Sequence, residues 1–313
     1  MKDNKYSQPP MNLMTCGSYD YDRVYCDTYD IDSVAGMYAL CKLVRVKKCS
    51  HYNKRIDKAS VDDQCVAFIG VCPTESEILV FTKAGVRVWV FFNSPYVEKY
   101  IEKYNDSELV TVCNTQINGL CTTVWIIISK LHDLIQPVPY ILEMIGNCAS
   151  GAEDLNARCI YYWFGQHHFR PGQVETNMDN LNTVSDKFSD TTSGLLYKRQ
   201  AIEFGTYAYK VKKNVLSQTK YLHTRYGKYK LALVNGNTIH TKDIADIVCD
   251  CLNIDGAVVY EWTGNDWMVD ICSRKLNYIN IAHKYNGIVY QDVARLFMSV
   301  EELGKLFPEY TEI

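Results

Sequence analysis

The chain has 313 residues, of which 47% are hydrophobic and 22% are charged. This composition is typical of a globular protein with a full core, and the length allows two domains of ordinary size. The formal net charge of −3 excludes a global basic field that would attract nucleic acid or an anionic membrane.

The cysteines and the first residues indicate the compartment. Thirteen cysteines over this length are too sparse for a disulfide scaffold. Residues 1–10 are polar and end in proline, unlike the apolar centre of a signal peptide. No apolar run approaches the roughly 20 residues that span a bilayer. The sequence therefore predicts a cytoplasmic protein without a membrane partner.

Two acids, Asp30 and Asp32, follow a short β-prone run at Val24 and Tyr25. A helical pattern begins after them, with Ser33 as its candidate N-cap. Residues two apart on an extended segment point to the same side, so both carboxylates could bind one Mg²⁺ or Mn²⁺ ion. The alternative is a polar turn in which Asp30 or Asp32 caps the helix.

Strand and helix signals alternate over residues 20–165. Apolar runs at 65–71 and 86–92 have the length of buried parallel strands, and a shorter strand is expected at 109–113. The intervening helices have predicted caps, which are Thr74 with its capping box, Ser94 before Pro95, and Asn118. This alternation predicts an α/β fold built on a doubly wound parallel sheet.

Residues 166–228 are predicted to form a loop and a connecting helix. The stretch 165–192 is polar and contains Pro171 and Gly172, which is typical of a surface loop. Beyond it, large side chains recur every seven residues, at Leu195, Ile202, Tyr209 and Leu216. We expect this helix to lie between two domains.

A second unit, a smaller mixed-sheet α/β domain, is predicted over residues 229–313. It begins with a strand at 231–234 and a helix capped by Thr241. Runs at 257–262 and 267–272 flank a turn with Gly264, which predicts a β-hairpin. A capping box that starts at Ser299 predicts the last helix.

Other polar clusters favour no separate function. Cys249 and Cys251 are too close for the usual zinc pair, and His167 with His168 is assigned to a loop. The Lys- and Arg-containing stretches 42–58 and 210–230 are interpreted as solvated faces rather than a dedicated nucleic-acid site.

The order of these signals resembles the DHH phosphoesterase family, in which a DHH domain precedes a DHH-associated domain, as in oligoribonucleases of the nanoRNase type. The resemblance covers residues 24–303. Residues 28–33 are similar to the first motif, an Asp or His followed by two spaced Asp and a Gly. The later motifs of the first domain fall at 69–73, 91–94, 118–120 and 145–147. Those of the second domain, an Arg-bearing segment and a glycine-rich loop ending in His, fall at 272–275 and 281–290.

The resemblance implies two divalent ions, usually manganese, that activate water against a phosphodiester or pyrophosphate. Of the metal ligands, Asp30 and Asp32 remain as vestiges. The other motif positions carry residues of the wrong type, namely Thr28, Gly70, Phe92, Asn93, Ser94, Asn147 and Tyr290. Neutral or apolar side chains cannot balance two divalent charges.

The substrate side is also reduced. Arg274, beside Lys275, stands at the place of the substrate-binding Arg and could hold a phosphate with two parallel hydrogen bonds. Gly287 remains from the glycine-rich loop, whose glycines let the backbone approach a phosphate. The alternative for Arg274 is a surface residue at a strand end.

Two functions are therefore considered. The first is an inactive phosphoesterase-like protein without a cofactor, which binds a nucleotide, a short oligonucleotide or a protein partner, a second copy included. The alternative is an active phosphodiesterase with a rebuilt site, in which Asp30, Asp32 and Asp27 hold one Mg²⁺ or Mn²⁺ and His51 or His132 acts as the base.

A last hypothesis concerns the cleft between the predicted domains. Asp30 and Asp32 would face Arg274 across it and pair with it directly instead of through a metal. Such a pairing would hold the domains closed and make the cleft an interface.

Overall fold

The computed structural model describes residues 21–52, 63–92, 97–113, 123–130, 138–150, 154–218, 222–235, 241–264, 266–273, 275–290, 293–307 and 311–312. Within these ranges two separate sheets form, one of five strands and one of seven. Helices cover both faces of the first sheet and fill the stretch between the two sheets. The predicted two-domain α/β fold is confirmed.

The first sheet is entirely parallel. Its strands are β1 (Tyr21–Cys26), β2 (Val46–His51), β3 (Cys65–Ile69), β4 (Arg87–Phe91) and β5 (Val110–Cys113). They lie in the order β2-β1-β3-β4-β5. The chain therefore reverses direction across the sheet between β1 and β3, the switch point at which doubly wound sheets bind their ligands.

The helices beside this sheet are α1 (Ile31–Leu43), α2 (Glu75–Lys83), α3 (Val97–Tyr104) and α4 (Thr123–Lys130). Residues of α1 and α4 are buried in one core cluster, and those of α2 in a second cluster on the opposite face. The capping box predicted at Thr74 is present at the start of α2. The caps predicted at Ser94 and Asn118 lie outside the described residues.

Four helices connect the two sheets: α5 (Tyr140–Ala149), α6 (Leu155–His167), α7 (Val174–Ser189) and α8 (Gly194–Gln218). The predicted loop at 165–192 is wrong, since most of it is α7 and His167 ends α6. Its apolar residues Leu181, Val184 and Phe188 have helical spacing and are buried in the first core, which outweighs the polar composition. The predicted connecting helix is confirmed as α8.

The second sheet is mixed. Its strands are β6 (Leu222–Tyr226), β7 (Tyr229–Asn235), β8 (Gly256–Trp262), β9 (Trp267–Ser273), β10 (Ile288–Tyr290), β11 (Val293–Met298) and β12 (Thr311–Glu312). They lie in the order β10-β11-β9-β8-β7-β6-β12. The pair β7–β8 is parallel and the remaining pairs are antiparallel, including the predicted hairpin β8–β9.

Three helices accompany this sheet: α9 (Thr241–Leu252), α10 (Tyr278–Lys284) and α11 (Val300–Leu306). Ser299 caps α11 through the predicted capping box. Thr241, predicted as a cap, is instead the first residue of α9, and its hydroxyl donates to the buried Asp270. None of the described helices is both long and apolar enough to cross a membrane.

The helices α6 and α8 cross at a glycine. A Cβ atom on Gly205 of α8 would lie 1.9 Å from the carbonyl oxygen of Cys159 in α6. The Cys159 thiol and the Thr206 hydroxyl are 3.2 Å apart at the same crossing. Glycine at position 205 is thus required by the backbone-to-backbone approach of these two helices.

We expect Gly205→Ala to destabilise the protein by about 1–3 kcal/mol, because the new methyl group forces α6 and α8 apart. Urea unfolding followed by circular dichroism measures the change. Gly304→Ala is the matched control: its Cβ meets open space in α11, so it should be neutral or stabilising by up to about 1 kcal/mol. Equal effects of the two substitutions would contradict the close crossing.

Candidate functional site

Three buried acids lie at the carboxyl end of β1, at the switch point of the first sheet. Asp27, Asp30 and Asp32, which we call the acid edge, are 0%, 6% and 1% exposed. Carboxylates in such a place are neutralised by a metal, a proton or protein donors. What each carboxylate binds therefore decides the chemistry of the site.

Asp30 is the N-cap of α1. Its Oδ2 accepts hydrogen bonds from the Ser33 backbone N–H (2.9 Å) and from the Ser33 hydroxyl (2.6 Å). The prediction that Ser33 is the cap was wrong, and the alternative of a local Asp30 cap is correct. Burial, followed by the nearby charges of Asp32 and Asp27, raises the pKa of Asp30 from 3.8 to about 7.

Asp32 lies in the first turn of α1 and binds the start of another helix. Its Oδ2 accepts from the Thr123 N–H (2.9 Å) and its Oδ1 from the Val124 N–H (3.3 Å). These N–H groups belong to the first turn of α4, which has no helical carbonyl to pair them. The positive end of the helix dipole favours a carboxylate at this position. Asp32 thus fixes α4 against α1.

Asp27 forms an ion pair with an arginine of the second sheet. Its Oδ1 accepts from the Tyr29 N–H (2.9 Å), and its Oδ2 accepts from Arg295 Nη1 (2.8 Å). The same guanidinium donates twice to Asp270, from Nε to Oδ1 and from Nη2 to Oδ2, both at 2.8 Å. All three side chains are fully buried. We call Asp27, Arg295 and Asp270 the buried ion cluster.

Strand pairing explains how the sequence builds this cluster. Arg295 of β11 lies directly opposite Asp270 of β9, so their side chains share one face of the second sheet. Their neighbours Ala294, Leu296, Val269 and Ile271 alternate onto the other face and form its apolar core. The charged pair therefore faces the first sheet, where Asp27 completes it.

Apolar contacts also join the two sheets. Ile288 of β10 is buried in the same hydrophobic cluster as Val71 and Phe92, which follow β3 and β4. The rings of Tyr29 and Phe297 meet with centroids 5.9 Å apart. The segment at the place of the family's glycine-rich loop thus supplies an apolar contact between the two sheets.

Thr28, at the first metal position of the family motif, pairs with a histidine. Its hydroxyl lies 2.9 Å from His51 Nδ1, and its backbone N–H donates to the same nitrogen at 3.4 Å. Burial lowers the pKa of His51, so the ring is neutral at pH 7. Because Nδ1 already accepts protein hydrogen bonds, it is not free to take a proton from water.

Gly70 and Ser33 exclude an acid at the second motif. Gly70 has φ +66°, and a Cβ there would lie 1.9 Å from the Ser33 hydroxyl oxygen and 2.7 Å from the Ser33 Cβ. Ser33 stands where the family has glycine. The serine side chain therefore occupies the space that a side chain on position 70 would need.

The remaining predicted positions do not assemble a phosphate site among the described residues. Asn147 lies within α5, and Gly287 permits a close passage of the chain, since its Cβ would lie 2.5 Å from the Arg295 carbonyl oxygen. Lys275 is exposed and pairs with Asp255 at 2.6 Å. Tyr290 forms part of the backbone ladder of β10. Four predicted residues lie outside the described ranges, namely Asn93, Ser94, His132 and Arg274.

The acid edge does not fit a two-metal centre. Among the residues that the structure describes, no group of three or more His, Cys, Asp or Glu side chains is arranged to hold a metal ion. The three carboxylates are already occupied by hydrogen-bond donors of the protein: Asp30 binds Ser33, Asp32 binds α4 and Asp27 binds Arg295. A divalent ion would have to displace these hydrogen bonds.

A separate surface cavity of about 400 Å³ lies between α5, α7 and α8. Lys198 points into it, with its ammonium 4.3 Å from the centre of the Tyr140 ring. No residue of the acid edge lines this cavity, so it is unrelated to the motif positions.

Sequence reasoning missed Arg295 and the role of Asp270. Both are single charged residues within apolar β-strand runs, 293–298 and 267–273. A single charge within an otherwise apolar strand requires a partner when it is buried, and this signal could have identified both. The pairing partner itself depends on the register of β9 and β11, which local patterns do not give.

No protein-family model matches the chain, and no curated protein matches it. Solved structures show a distant likeness. CDC45 from Entamoeba histolytica matches with 11% identity and TM-score 0.44 over 91% of this chain and 93% of that chain. An exopolyphosphatase-related protein from Bacteroides fragilis matches with 10% identity and TM-score 0.39 over 91% and 90%.

RecJ from Thermus thermophilus, solved with Mg²⁺, matches with 11% identity and TM-score 0.37 over 91% of this chain and 47% of that chain. This chain thus spans about half of the RecJ chain.

We expect Arg295→Met to destabilise the protein by about 3–5 kcal/mol at pH 7.5, because it leaves Asp27 and Asp270 buried without a cation. Chemical unfolding measures the loss. The triple variant, which adds Asp27→Asn and Asp270→Asn to Arg295→Met, removes those charges and should recover most of the lost stability. A loss below about 1 kcal/mol for the single variant would contradict a closed ion cluster.

Asp30 should make the protein less stable as pH rises from about 4 to about 7. Its folded pKa of about 7 lies above 3.8, so the unfolded chain releases a proton that the folded chain retains. Asp30→Asn keeps an acceptor for Ser33 without the charge. In EDTA at pH 8 it should be more stable than the wild type by on the order of 2–4 kcal/mol.

The same pair of proteins at pH 4 provides the control, since Asp30 is then protonated and the two stabilities should converge. Thermal unfolding across this pH range measures both. A difference that is equal at pH 4 and pH 8 would show that the effect of the substitution does not arise from the charge of Asp30.

Proposed function

We propose that the chain is a degenerate DHH phosphoesterase-like protein that has lost the two-metal hydrolase site and acts as a binding or scaffolding module. The observation that carries this proposal is the buried ion cluster. It places a guanidinium of the second sheet against the acid edge of the first sheet. The motif resemblance supports the family assignment, and the hydrogen bonds of the acids support the loss of activity.

Three features support the absence of hydrolysis. Asp30 and Asp32 serve as structural acceptors for α1 and α4. Ser33 occupies the space that an acid at position 70 would need. His51, the described candidate base, accepts the Thr28 backbone N–H at its Nδ1. A metal that generates a nucleophilic hydroxide needs protein ligands that are free to bind it. Here the acids are already engaged in hydrogen bonds within the protein.

The contacts between the sheets also disfavour an anionic ligand at the former site. Ile288 adds buried apolar surface between the sheets, and Arg295 is already bound by two carboxylates. A phosphate would meet the acid edge, and each uncompensated charge pair costs about 1 kcal/mol or more at contact. Among nucleotide, oligonucleotide and protein ligands, this arrangement favours a protein bound to the outer surface.

The second candidate function is an active Mg²⁺- or Mn²⁺-dependent phosphodiesterase. It is motivated by the proximity of Asp27, Asp30 and Asp32, which would attract a cation. Burial and the charges of Asp32 and Asp27 raise the pKa of Asp30. A metal would have to separate Asp27 from Arg295 and free Asp30 from Ser33. The second function therefore requires the two sheets to move apart.

One experiment separates the two functions. With about 1 mM Mn²⁺, we expect the melting temperature to stay within about 1 °C of its value in EDTA, since stabilisation grows as RT ln(1 + [L]/Kd). Nucleotides and short oligonucleotides should remain intact in the same buffer. The double variant Asp30→Asn/Asp32→Asn is the control. A shift of several degrees or hydrolysis in the wild type, abolished in this variant, would establish the second function.

A further inference from the structure

The outward face of α8 exposes a line of large apolar side chains. Leu196, Phe204, Tyr207 and Val211 are 59%, 41%, 68% and 41% exposed. Isolated exposed apolar residues are ordinary, but contiguous ones mark interaction surfaces. Their opposite face, with Ala201, Ala208 and Leu216, is buried against the rest of the protein.

The spacing of this line is that of a coiled-coil seam. Phe204, Tyr207 and Val211 are separated by three and then four residues, and Asn214 continues the pattern as an exposed residue. Such positions form a narrow stripe that a second helix can cover. The rings of His167 and Phe204 meet with centroids 4.3 Å apart, so His167 borders the stripe on one side.

The charges beside the stripe are complementary to the same charges on α8 of a second copy of the protein. Glu203 and Lys210 are exposed, lie seven residues apart and therefore occupy the same border of the stripe. If two α8 helices pair antiparallel about an axis near residues 206–207, Glu203 of each faces Lys210 of the other. An isologous contact requires this reciprocity. Arg199, which pairs with Glu203 at 2.8 Å, extends the charged border.

We propose that α8 is a homodimerisation element that pairs antiparallel with α8 of a second copy through Phe204, Tyr207 and Val211. Residues 196–211 span about 22 Å of helix. One helix of this length buries less surface than a permanent dimer interface. The dimer is accordingly reversible and depends on protein concentration. The proposal is independent of whether the acid edge hydrolyses anything.

A polyanion is a poorer occupant of the same surface. The border of the stripe carries Glu203 between its basic residues, and the chain has a net charge of −3. A second copy of α8 offers that carboxylate Lys210, whereas a nucleic acid backbone offers it no cation.

Sedimentation velocity on the full chain tests the proposal, at about 1 to about 100 µM protein and low salt. The wild type should shift from monomer to dimer over this range. Lys210→Glu sets two pairs of like charges against each other and should weaken dimerisation roughly tenfold or more. Adding Glu203→Lys restores opposite charges in both pairs and should restore the dimer.

Lys213→Glu is the matched control, because it makes the same charge change on α8 away from the border that carries Lys210 and should leave dimerisation unchanged. Tyr207→Ala removes apolar contact without a charge and should weaken it as well. Melting temperatures near the wild-type value verify that each variant is folded. A wild type that stays monomeric throughout, or an equal effect of Lys210→Glu and Lys213→Glu, overturns the proposal.

Discussion

The buried guanidinium of Arg295 is the constraint on which the relation of the two sheets depends. It makes three hydrogen bonds of 2.8 Å to carboxylates on both sides of the contact. A buried charge is tolerated only where it is fully paired, so neither sheet can lose its acid without leaving a charge uncompensated. The polar pairing fixes the position of the second sheet, and Ile288 and Phe297 add apolar contact around it.

This arrangement gives a structural reason for Asp30 and Asp32, the acids that resemble those of the motif. Asp30 caps α1, and Asp32 binds the first N–H groups of α4. Both roles need an acceptor at the carboxyl end of β1 whether or not a metal is present. Ser33 and Gly70 are also coupled, since the Ser33 side chain fills the space that a Cβ atom at position 70 would need. Residues that resemble a catalytic motif are here part of the fold.

The sequence predicted local structure well and long-range pairing poorly. Buried strands, the Thr74 and Ser299 capping boxes, the β8–β9 hairpin and α8 follow from patterns within a few residues. The helix α7 was missed because its polar residues outnumber its apolar stripe. The expected pairing of Arg274 with Asp30 and Asp32 stays a prediction, because residue 274 lies outside the described ranges. The pairing of Arg295 was not foreseen, because only the register of β9 and β11 places it opposite Asp270.

Each acid of the acid edge has a different means of compensation within the protein. Asp27 meets a guanidinium, Asp32 meets the N-terminus of α4, and Asp30 retains its proton until the pH approaches about 7. A metal would gain the attraction of three carboxylates but would also expel Arg295 from Asp27 and leave it paired with Asp270 alone. Since the charge is already compensated, the metal would have to replace existing bonds. The closed contact between the sheets is thus the electrostatic alternative to a metal centre.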